Sequence, residues 1–174
     1  MDWSALFHAE TVVLGCGSIL FGDDGLAPRA VAELAAEREW PPQVAFVDAG
    51  TAIRVLLTDM VLMEARPRRV ILLDVVQEPE RAAGSIIQEN MDAPAAAPAC
   101  SFTGGAAGSM LHHAPTRGLL RQLHDHLGAE VIVLTVQAGC IPELMNDDFS
   151  PEAEAALPRL KALVRALCLA DYPA

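Results

Sequence analysis

The chain contains 174 residues, of which 52% are hydrophobic and 20% are charged, and its formal net charge at pH 7 is −11. These values are typical of one ordered, soluble globular domain, which we predict over residues 1–174. The negative charge would repel a phosphate backbone, so nucleic acid is not expected as a partner. The longest apolar runs have six or seven residues, far fewer than a membrane span needs, so no membrane association is expected.

The N-terminal segment and the cysteines indicate a compartment. No basic stretch and no small-residue cleavage site occur near residue 1, so no secretory signal is predicted. The four cysteines are scattered without a CxxC pair, as is typical of reduced thiols in a cytosolic protein. We therefore expect a cytoplasmic protein.

Strand-like apolar runs alternate with amphipathic helical stretches in the first half of the chain. Strands are predicted over residues 11–16, 44–48 and 68–76. The last of these runs is β-branched and uninterrupted, as is typical of a central strand in a parallel sheet. The helix after the first strand has Asp23 or Asp24 as its candidate N-cap, and a helix within 51–65 has Thr51.

The second half continues this alternation. The predicted elements are an edge strand over 84–89, a long loop over 90–110, a helix over 116–128, a buried strand within 129–139 and a helix over 150–170. The residues "LHHAP" (111–115) are assigned to the loop before the third helix, and Pro158 is expected to kink the last helix or to mark a second start. This order predicts an α/β fold, a single three-layer domain with a mostly parallel twisted sheet of about five strands flanked by helices.

Several ionisable residues are predicted to meet at one edge of this sheet. In such sheets, ligands bind beyond the carboxyl ends of the strands. Acidic residues follow or end each of the first three predicted strands, and two histidines precede the next helix. The candidate site residues at this edge are Asp23, Asp24, Asp48, Asp74, His112 and His113.

The loop "GCGSILFGDDG" (15–25) is open to three interpretations. A dinucleotide-binding loop needs a third glycine where Leu20 stands, and two acids occupy the helix start where a pyrophosphate would bind, so a nucleotide is disfavoured. A tight turn with a capping aspartate explains the glycines and one of the acids. Metal binding is the third interpretation.

Carboxylate and imidazole groups are suitable ligands for divalent first-row ions such as nickel and zinc. Asp24, Asp74 and either His112 or His113 would form a three-ligand site with an open position. An aspartate at a strand end and a lone histidine also have ordinary structural roles. The residues by themselves therefore leave capping and metal binding open.

Taken together in chain order, four segments resemble the NiFe-hydrogenase maturation endopeptidases. They are "VVLGCGSILFGDDGLAP", which resembles the opening strand and loop of that family, "VDAGTA", "VILLDVV" and the histidine segment "HHAPTRGLL". The similarity extends over roughly residues 11–168. The first and last of these segments are most similar to the branch that serves deazaflavin-reducing hydrogenases and to the hydrogenase-3 type.

The resemblance implies a cytoplasmic, monomeric endopeptidase that removes a short C-terminal extension from the large-subunit precursor of a NiFe hydrogenase. It implies nickel supplied by the substrate precursor, with no intrinsic metal in the isolated protein. Carried over by position, the residues implied to contact nickel and to act in catalysis are Asp24, Asp74 and His113. Asp24 stands where several members have glutamate, and the adjacent His112 is the alternative to His113.

Other positions limit what the resemblance implies. Ser18 stands where the family usually has asparagine, so a side-chain amide role is not carried over. Asp23 or Asp48 is the candidate general base, and Cys16 is interpreted as a small buried residue rather than a nucleophile. The sequence contains neither the GxSxG motif of a serine hydrolase nor the HExxH motif of a zincin. The alternative function is a non-proteolytic chaperone or subunit that checks nickel or binds a hydrogenase large subunit.

Overall fold

A computed structural model of the chain describes residues 8–37, 39–63, 66–91 and 110–170, with side chains from residue 116 onward in the last range. Most of the loop predicted over 90–110 therefore lies outside the described residues. Within the described ranges, no helix combines the length and the apolar composition needed to cross a lipid bilayer.

The fold is organised around a five-stranded sheet. Its strands are β1 Thr11–Cys16, β2 Val44–Gly50, β3 Arg69–Val76, β4 Ile86–Asn90 and β5 Glu130–Gln137. Their order across the sheet is β2-β1-β3-β5-β4, with parallel pairing except between β5 and β4 at the edge. The predicted mostly parallel sheet is confirmed, as is its short edge strand.

Helices cover both faces of this sheet. The described helices are α1 Leu26–Ala35, α2 Ile53–Leu62, α3 Met110–Leu127 and α4 Pro151–Leu169. Successive strand residues point to opposite faces. Val12 and Leu72 therefore pack in one cluster with α2 and α3, whereas Val13 and Ile71 pack in a second cluster with α1 and α4. The predicted three-layer α/β fold is confirmed.

The connections around β1 determine where a ligand can bind. β2 lies on one side of β1 and β3 lies on the other, so the strand order reverses at β1. At such a switch point, the connections from neighbouring strands leave to opposite faces and open a crevice at the carboxyl edge. The loop after β1 and the carboxyl end of β3 lie at this crevice.

The starts of three helices differ from the predictions. α3 begins at Met110, so "LHHAP" belongs to the helix and not to a loop before it. Pro115 lies within the first two turns, where its missing N–H removes only one helical hydrogen bond. Gly25 and Ala52 precede α1 and α2 without a side-chain cap bond, so an aspartate cap on α1 and a Thr51 cap on α2 are both wrong.

Main-chain turns replace those predicted caps. Residues Gly22–Gly25 form a 3-10 turn that leads directly into α1, and the N–H of Leu26 donates to the carbonyl of Asp23. Before α2, the N–H of Ala52 donates to the carbonyl of Ala49 at 2.9 Å. Main-chain carbonyl groups thus accept hydrogen bonds from N–H groups at these helix starts, which leaves the aspartate side chains available for other contacts.

α4 begins as the sequence predicts. The Ser150 hydroxyl accepts a hydrogen bond from the N–H of Ala153 at 3.2 Å, and Pro151 occupies the first helical position. The helix then continues through Pro158 to Leu169, so no second start occurs. The buried side chain of Leu157 holds this stretch against the sheet and offsets the hydrogen bond that Pro158 cannot make.

Candidate active site

The loop after β1 brings one carboxylate to the crevice. Gly17 has a φ of 129°, and a Cβ built on it would lie 2.0 Å from the main-chain oxygen of Asp24. Only glycine therefore permits this close turn. The N–H of Ser18 donates a hydrogen bond to Oδ2 of Asp24 at 2.7 Å and orients that carboxylate. Because the main chain of residue 18 makes this contact, it does not depend on an asparagine side chain.

Asp74 supplies a second carboxylate from β3, on the sheet face covered by α2 and α3. Its Oδ1 accepts a hydrogen bond from the N–H of Val75 at 2.9 Å, and the Cys16 thiol donates to the same carboxylate. Burial, together with the negative charge of Asp24, raises the pKa of Asp74 from 3.8 to about 7, against the opposing effect of these two hydrogen bonds.

Cys16 is buried at the end of β1, as the sequence predicts. Burial raises the pKa of its thiol well above the ordinary range, and the charges of Asp74 and Asp24 raise it further. A thiol in this environment remains protonated and unreactive. Cys16 is therefore a hydrogen-bond donor to Asp74 and not a nucleophile.

Asp24 and Asp74 lie close enough for the charge of one to affect the ionisation of the other. A divalent cation would offset this repulsion, and paired carboxylates are suitable ligands for one. Among the side chains that the structure describes, no group of three His, Cys, Asp or Glu residues is arranged to hold a metal ion. The side chains of His112 and His113 are not among them, so the three-ligand site stays a prediction.

The backbone of α3 carries the histidines toward this crevice. α3 precedes β5 and ends at the amino edge of the sheet, so its first turns lie at the carboxyl edge. Thr116 and Leu120 of α3 line a cleft that also contains Asp74. Position 113 precedes them by three and seven residues, which is the spacing of a single helix face.

The cleft between α3 and the sheet has a volume of about 70 Å³. Leu72 and Leu120 contribute apolar walls, while Asp74 and Thr116 contribute polar groups. The Thr116 hydroxyl is buried and has no hydrogen-bond partner within the described part of the chain. Glu78, Glu89, Arg81 and Arg117 also line the cleft, which therefore offers charged groups, one unpaired hydroxyl and an apolar wall to a small group beside Asp74.

Asp23 has a structural role and does not line this cleft. It is fully buried, and its carboxylate accepts hydrogen bonds from the N–H groups of Gly139, Cys140 and Ser150 at 2.7, 2.8 and 2.7 Å. The Ser150 hydroxyl adds a fourth at 2.7 Å. These contacts join the first loop to the end of β5 and the start of α4. A carboxylate so fully engaged is excluded as a general base.

Asp48 lies at the carboxyl end of β2, as predicted, and is exposed. Its Oδ1 accepts a hydrogen bond from the N–H of Gly50 at 2.9 Å, and the carbonyl of Gly50 accepts from the N–H of Gly17 at 3.1 Å. The end of β2 is thus tied to the first loop. Of the two acids considered as general base, Asp48 is the one that the structure leaves accessible.

Sequence reasoning missed two of these features. The partners of Asp23 are 116, 117 and 127 positions away, so no local pattern distinguishes this carboxylate from a helix cap. The cleft at Thr116 does not follow from the sequence when "LHHAP" is assigned to a loop, because the residues before Thr116 then have no helical spacing. A signal was present, since the spacing of His113, Thr116 and Leu120 is that of one helix face.

The raised pKa of Asp74 predicts a pH-dependent stability. A carboxyl group whose pKa is higher in the folded than in the unfolded protein gives its full stability below about pH 4, and that stability is lost as the pH rises through about 7. Asp74→Asn keeps an oxygen for Val75 and Cys16 but cannot ionise. Relative to wild type, its free energy of unfolding should rise between pH 4 and pH 8 by roughly 2 to 4 kcal/mol.

Urea denaturation of the metal-free proteins, in chelator and across this pH range, measures the difference. Asp48→Asn is the matched control, because it removes an exposed carboxylate at the carboxyl end of β2, in the same sheet, and keeps the oxygen that Gly50 contacts. Parallel stability curves for Asp74→Asn and wild type would contradict the assignment of the pH dependence to Asp74.

The chain is similar to known proteins over most of its length. The sequence model of the family described as hydrogenase maturation protease matches residues 28–166, which include Asp74 and both histidines. Subunit delta of the coenzyme F420 hydrogenase of Methanothermobacter thermautotrophicus is 30% identical over 179 residues, with 92% of each chain covered. The name of this relative agrees with the branch predicted from the motifs.

Solved structures share the fold. The hydrogenase maturating endopeptidase HybD of Escherichia coli has a TM-score of 0.69 at 23% identity, with 93% of this chain and 94% of that chain covered. The NiFe-hydrogenase maturation protease HycI of Thermococcus kodakarensis has a TM-score of 0.69 at 18% identity, with 94% of each chain covered. The sequence match and the shared architecture lead to one assignment. The chain belongs to the hydrogenase maturation protease family.

Proposed function

We propose that this chain is the endopeptidase that removes the C-terminal extension of a NiFe-hydrogenase large-subunit precursor after nickel insertion. Membership of the family makes it a protease that acts in hydrogenase maturation. The nickel dependence, the C-terminal position of the cut and the cytoplasmic location are part of the proposal. So are the monomeric state and the use of the substrate's nickel in place of an intrinsic metal.

One observation carries the proposal: Asp24 and Asp74, from separate elements, lie close enough to repel each other at the carboxyl edge of the sheet, beside its switch point. Bringing two carboxylates together in a partly buried place raises the free energy of their ionised forms. A cation presented by a substrate would lower it. The pair is therefore suited to sensing whether the precursor carries its metal.

Within this site, some groups orient the two carboxylates and another accepts a proton. The N–H of Ser18 orients Asp24, while the N–H of Val75 and the Cys16 thiol orient Asp74. Asp48 is the accessible acid that could accept a proton from a water at this edge. The bound nickel would supply Lewis-acid chemistry at the scissile peptide.

Helical spacing supports His113 over His112 as the third contact. Thr116, Arg117 and Leu120 line the cleft, at three, four and seven residues after His113, which is the pattern of one helix face. Counted from His112, the same three residues are four, five and eight positions away, which fits a single helix face less well.

We propose that the peptide next to the scissile bond enters this cleft beside Asp74.

Nickel dependence is the direct test of the proposal. Purified chain, incubated with nickel-loaded large-subunit precursor from the same organism, should reduce the precursor mass by one C-terminal fragment. Nickel-free precursor should stay intact, because it presents no cation to the carboxylates of Asp24 and Asp74. Mass spectrometry measures both reactions. Equal cleavage of the two precursors would contradict the use of the substrate's metal.

A non-proteolytic role is the second candidate, and one observation favours it. The relative from Methanothermobacter thermautotrophicus is named as a hydrogenase subunit. In that case the chain would remain bound to a hydrogenase large subunit. Stable co-purification without any change in the precursor mass would support this role, whereas release of the chain after a mass change supports the endopeptidase.

A further inference from the structure

Two loops beside Asp24 expose large apolar side chains. Ile19 and Leu20 of the first loop are 61% and 49% exposed, and Leu144 and Met145, after β5, are 82% and 72% exposed. These four residues, called the loop patch below, are half of the eight exposed large hydrophobic residues among the described ones. Water contact with so many apolar groups in two adjoining loops is typical of an interaction surface.

The two loops form one surface because the backbone joins them. The N–H of Asn146 donates to the carbonyl of Leu20 at 3.0 Å, and the N–H of Gly22 donates to the carbonyl of Asn146 at 2.6 Å. The buried carboxylate of Asp23 adds bonds to Gly139 and Cys140. The loop patch is thus preorganised, which lowers the entropy cost of covering it.

The loop patch adjoins the carboxylate pair. Ser18, whose N–H holds Asp24, immediately precedes Ile19, and the Cα of Ile19 would lie 2.9 Å from a Cβ built on Gly25. A folded protein that presents a metal to Asp24 would therefore come close to Ile19 in the same loop.

Acidic side chains border the loop patch. Glu143, Asp147 and Asp148 are exposed and flank Leu144 and Met145 in sequence. An apolar centre with a charged rim is the usual anatomy of a protein interface. Since the whole chain has a net charge of −11, a partner with lysine and arginine around an apolar centre is electrostatically matched.

From this arrangement we infer that the loop patch is the docking surface for the folded large-subunit precursor, which contacts it through an apolar area with a basic rim. This inference rests on the proposed function and adds to it. It assigns recognition of the precursor body to the loop patch, separately from the metal contact at Asp24 and Asp74. Removing the patch should therefore weaken binding and leave the chemical step intact.

The test uses the double variant Leu144→Ser/Met145→Ser, whose side chains are exposed and outside the core. Against nickel-loaded precursor, its Kd and KM should rise at least about 10-fold, with kcat within about 2-fold of wild type. The matched control is Leu62→Ser/Met63→Ser, at 74% and 66% exposure at the far end of α2, and it should behave as wild type.

The outcomes separate the two proposals. Wild-type cleavage with an unchanged Kd and KM in the double variant would overturn the docking surface and leave the endopeptidase in place. If wild type binds the precursor without cleaving it, and the double variant no longer binds, the docking surface is supported and the endopeptidase is overturned. A wild-type chain that neither binds nor cleaves overturns both.

Two further measurements define the occupant. Glu143→Gln/Asp147→Asn should slow association with the precursor and weaken the salt dependence of its rate, and unchanged rates would overturn the basic rim.

Sedimentation of the isolated chain should give a monomer with and without the Leu144 and Met145 changes. A wild-type dimer that these changes dissociate would show that the patch pairs two copies, which overturns the inference.

Discussion

Asp24→Asn, Asp74→Asn and His113→Ala should each fold and yet leave the nickel-loaded precursor uncleaved, with kcat/KM reduced at least about 100-fold. The two asparagine variants keep the size of the side chain and an oxygen for the Ser18 or Val75 N–H. They remove a negative charge that would stabilise a bound metal cation. The loss should therefore appear in processing and not in the folded state.

A gel or mass assay on nickel-loaded precursor measures processing, and circular dichroism measures folding in the same preparations. Asp125→Asn is the matched control, because it removes an exposed carboxylate from the C-terminal half of α3. It should process the precursor as wild type does. Wild-type processing by Asp24→Asn and His113→Ala would refute the site.

Asp23→Ala should lower the free energy of unfolding by about 3 to 5 kcal/mol, the largest stability effect expected of a single polar residue here. The change leaves the N–H groups of Gly139, Cys140 and Ser150, and the Ser150 hydroxyl, without their acceptor. Because Asp23 is fully buried, water cannot replace it without opening the loops. The melting temperature should fall by about 10 °C.

Asp23→Asn should have an intermediate effect. One amide oxygen can still accept from Gly139 and Cys140 at the Oδ2 position, whereas the amide nitrogen would face the N–H of Ser150. Urea and thermal denaturation compare both variants with Asp147→Ala, an exposed acid that has no such contacts and should be neutral. A melting temperature for Asp23→Ala within about 2 °C of wild type would contradict this role.

Much of the fold follows from local sequence. The run "RVILLDVV" (69–76) is a strand because it is apolar, β-branched and uninterrupted, and its central place in the sheet follows from the same property. Ser150 and Pro151 start α4 by capping chemistry that depends only on neighbouring residues. Gly128, with a φ of 73°, ends α3 for an equally local reason.

The helix starts were less predictable because competing local interactions have similar free energies. An aspartate before α1 is a reasonable cap by propensity, and the backbone turn Gly22–Gly25 replaces it. The sequence pattern predicts a third helix only from Thr116, whereas α3 begins at Met110 and includes Pro115. With this start, both histidines lie on the helix and not in the loop before it. The candidate residues are the same, but the element that carries them is different.

The sequence by itself predicted the candidate site: acids at the carboxyl ends of parallel strands, a glycine loop whose acid pair disfavours a nucleotide, and a histidine pair before a helix. It could do so because strand ends and loop chemistry are local properties. Which carboxylate does what was decided only by the tertiary structure. Asp23 and Asp24 are adjacent in the chain, yet Asp23 is buried against Ser150 and Asp24 is held near Asp74. Burial and long-range hydrogen bonds set that difference, and neither is encoded in the spacing of the residues.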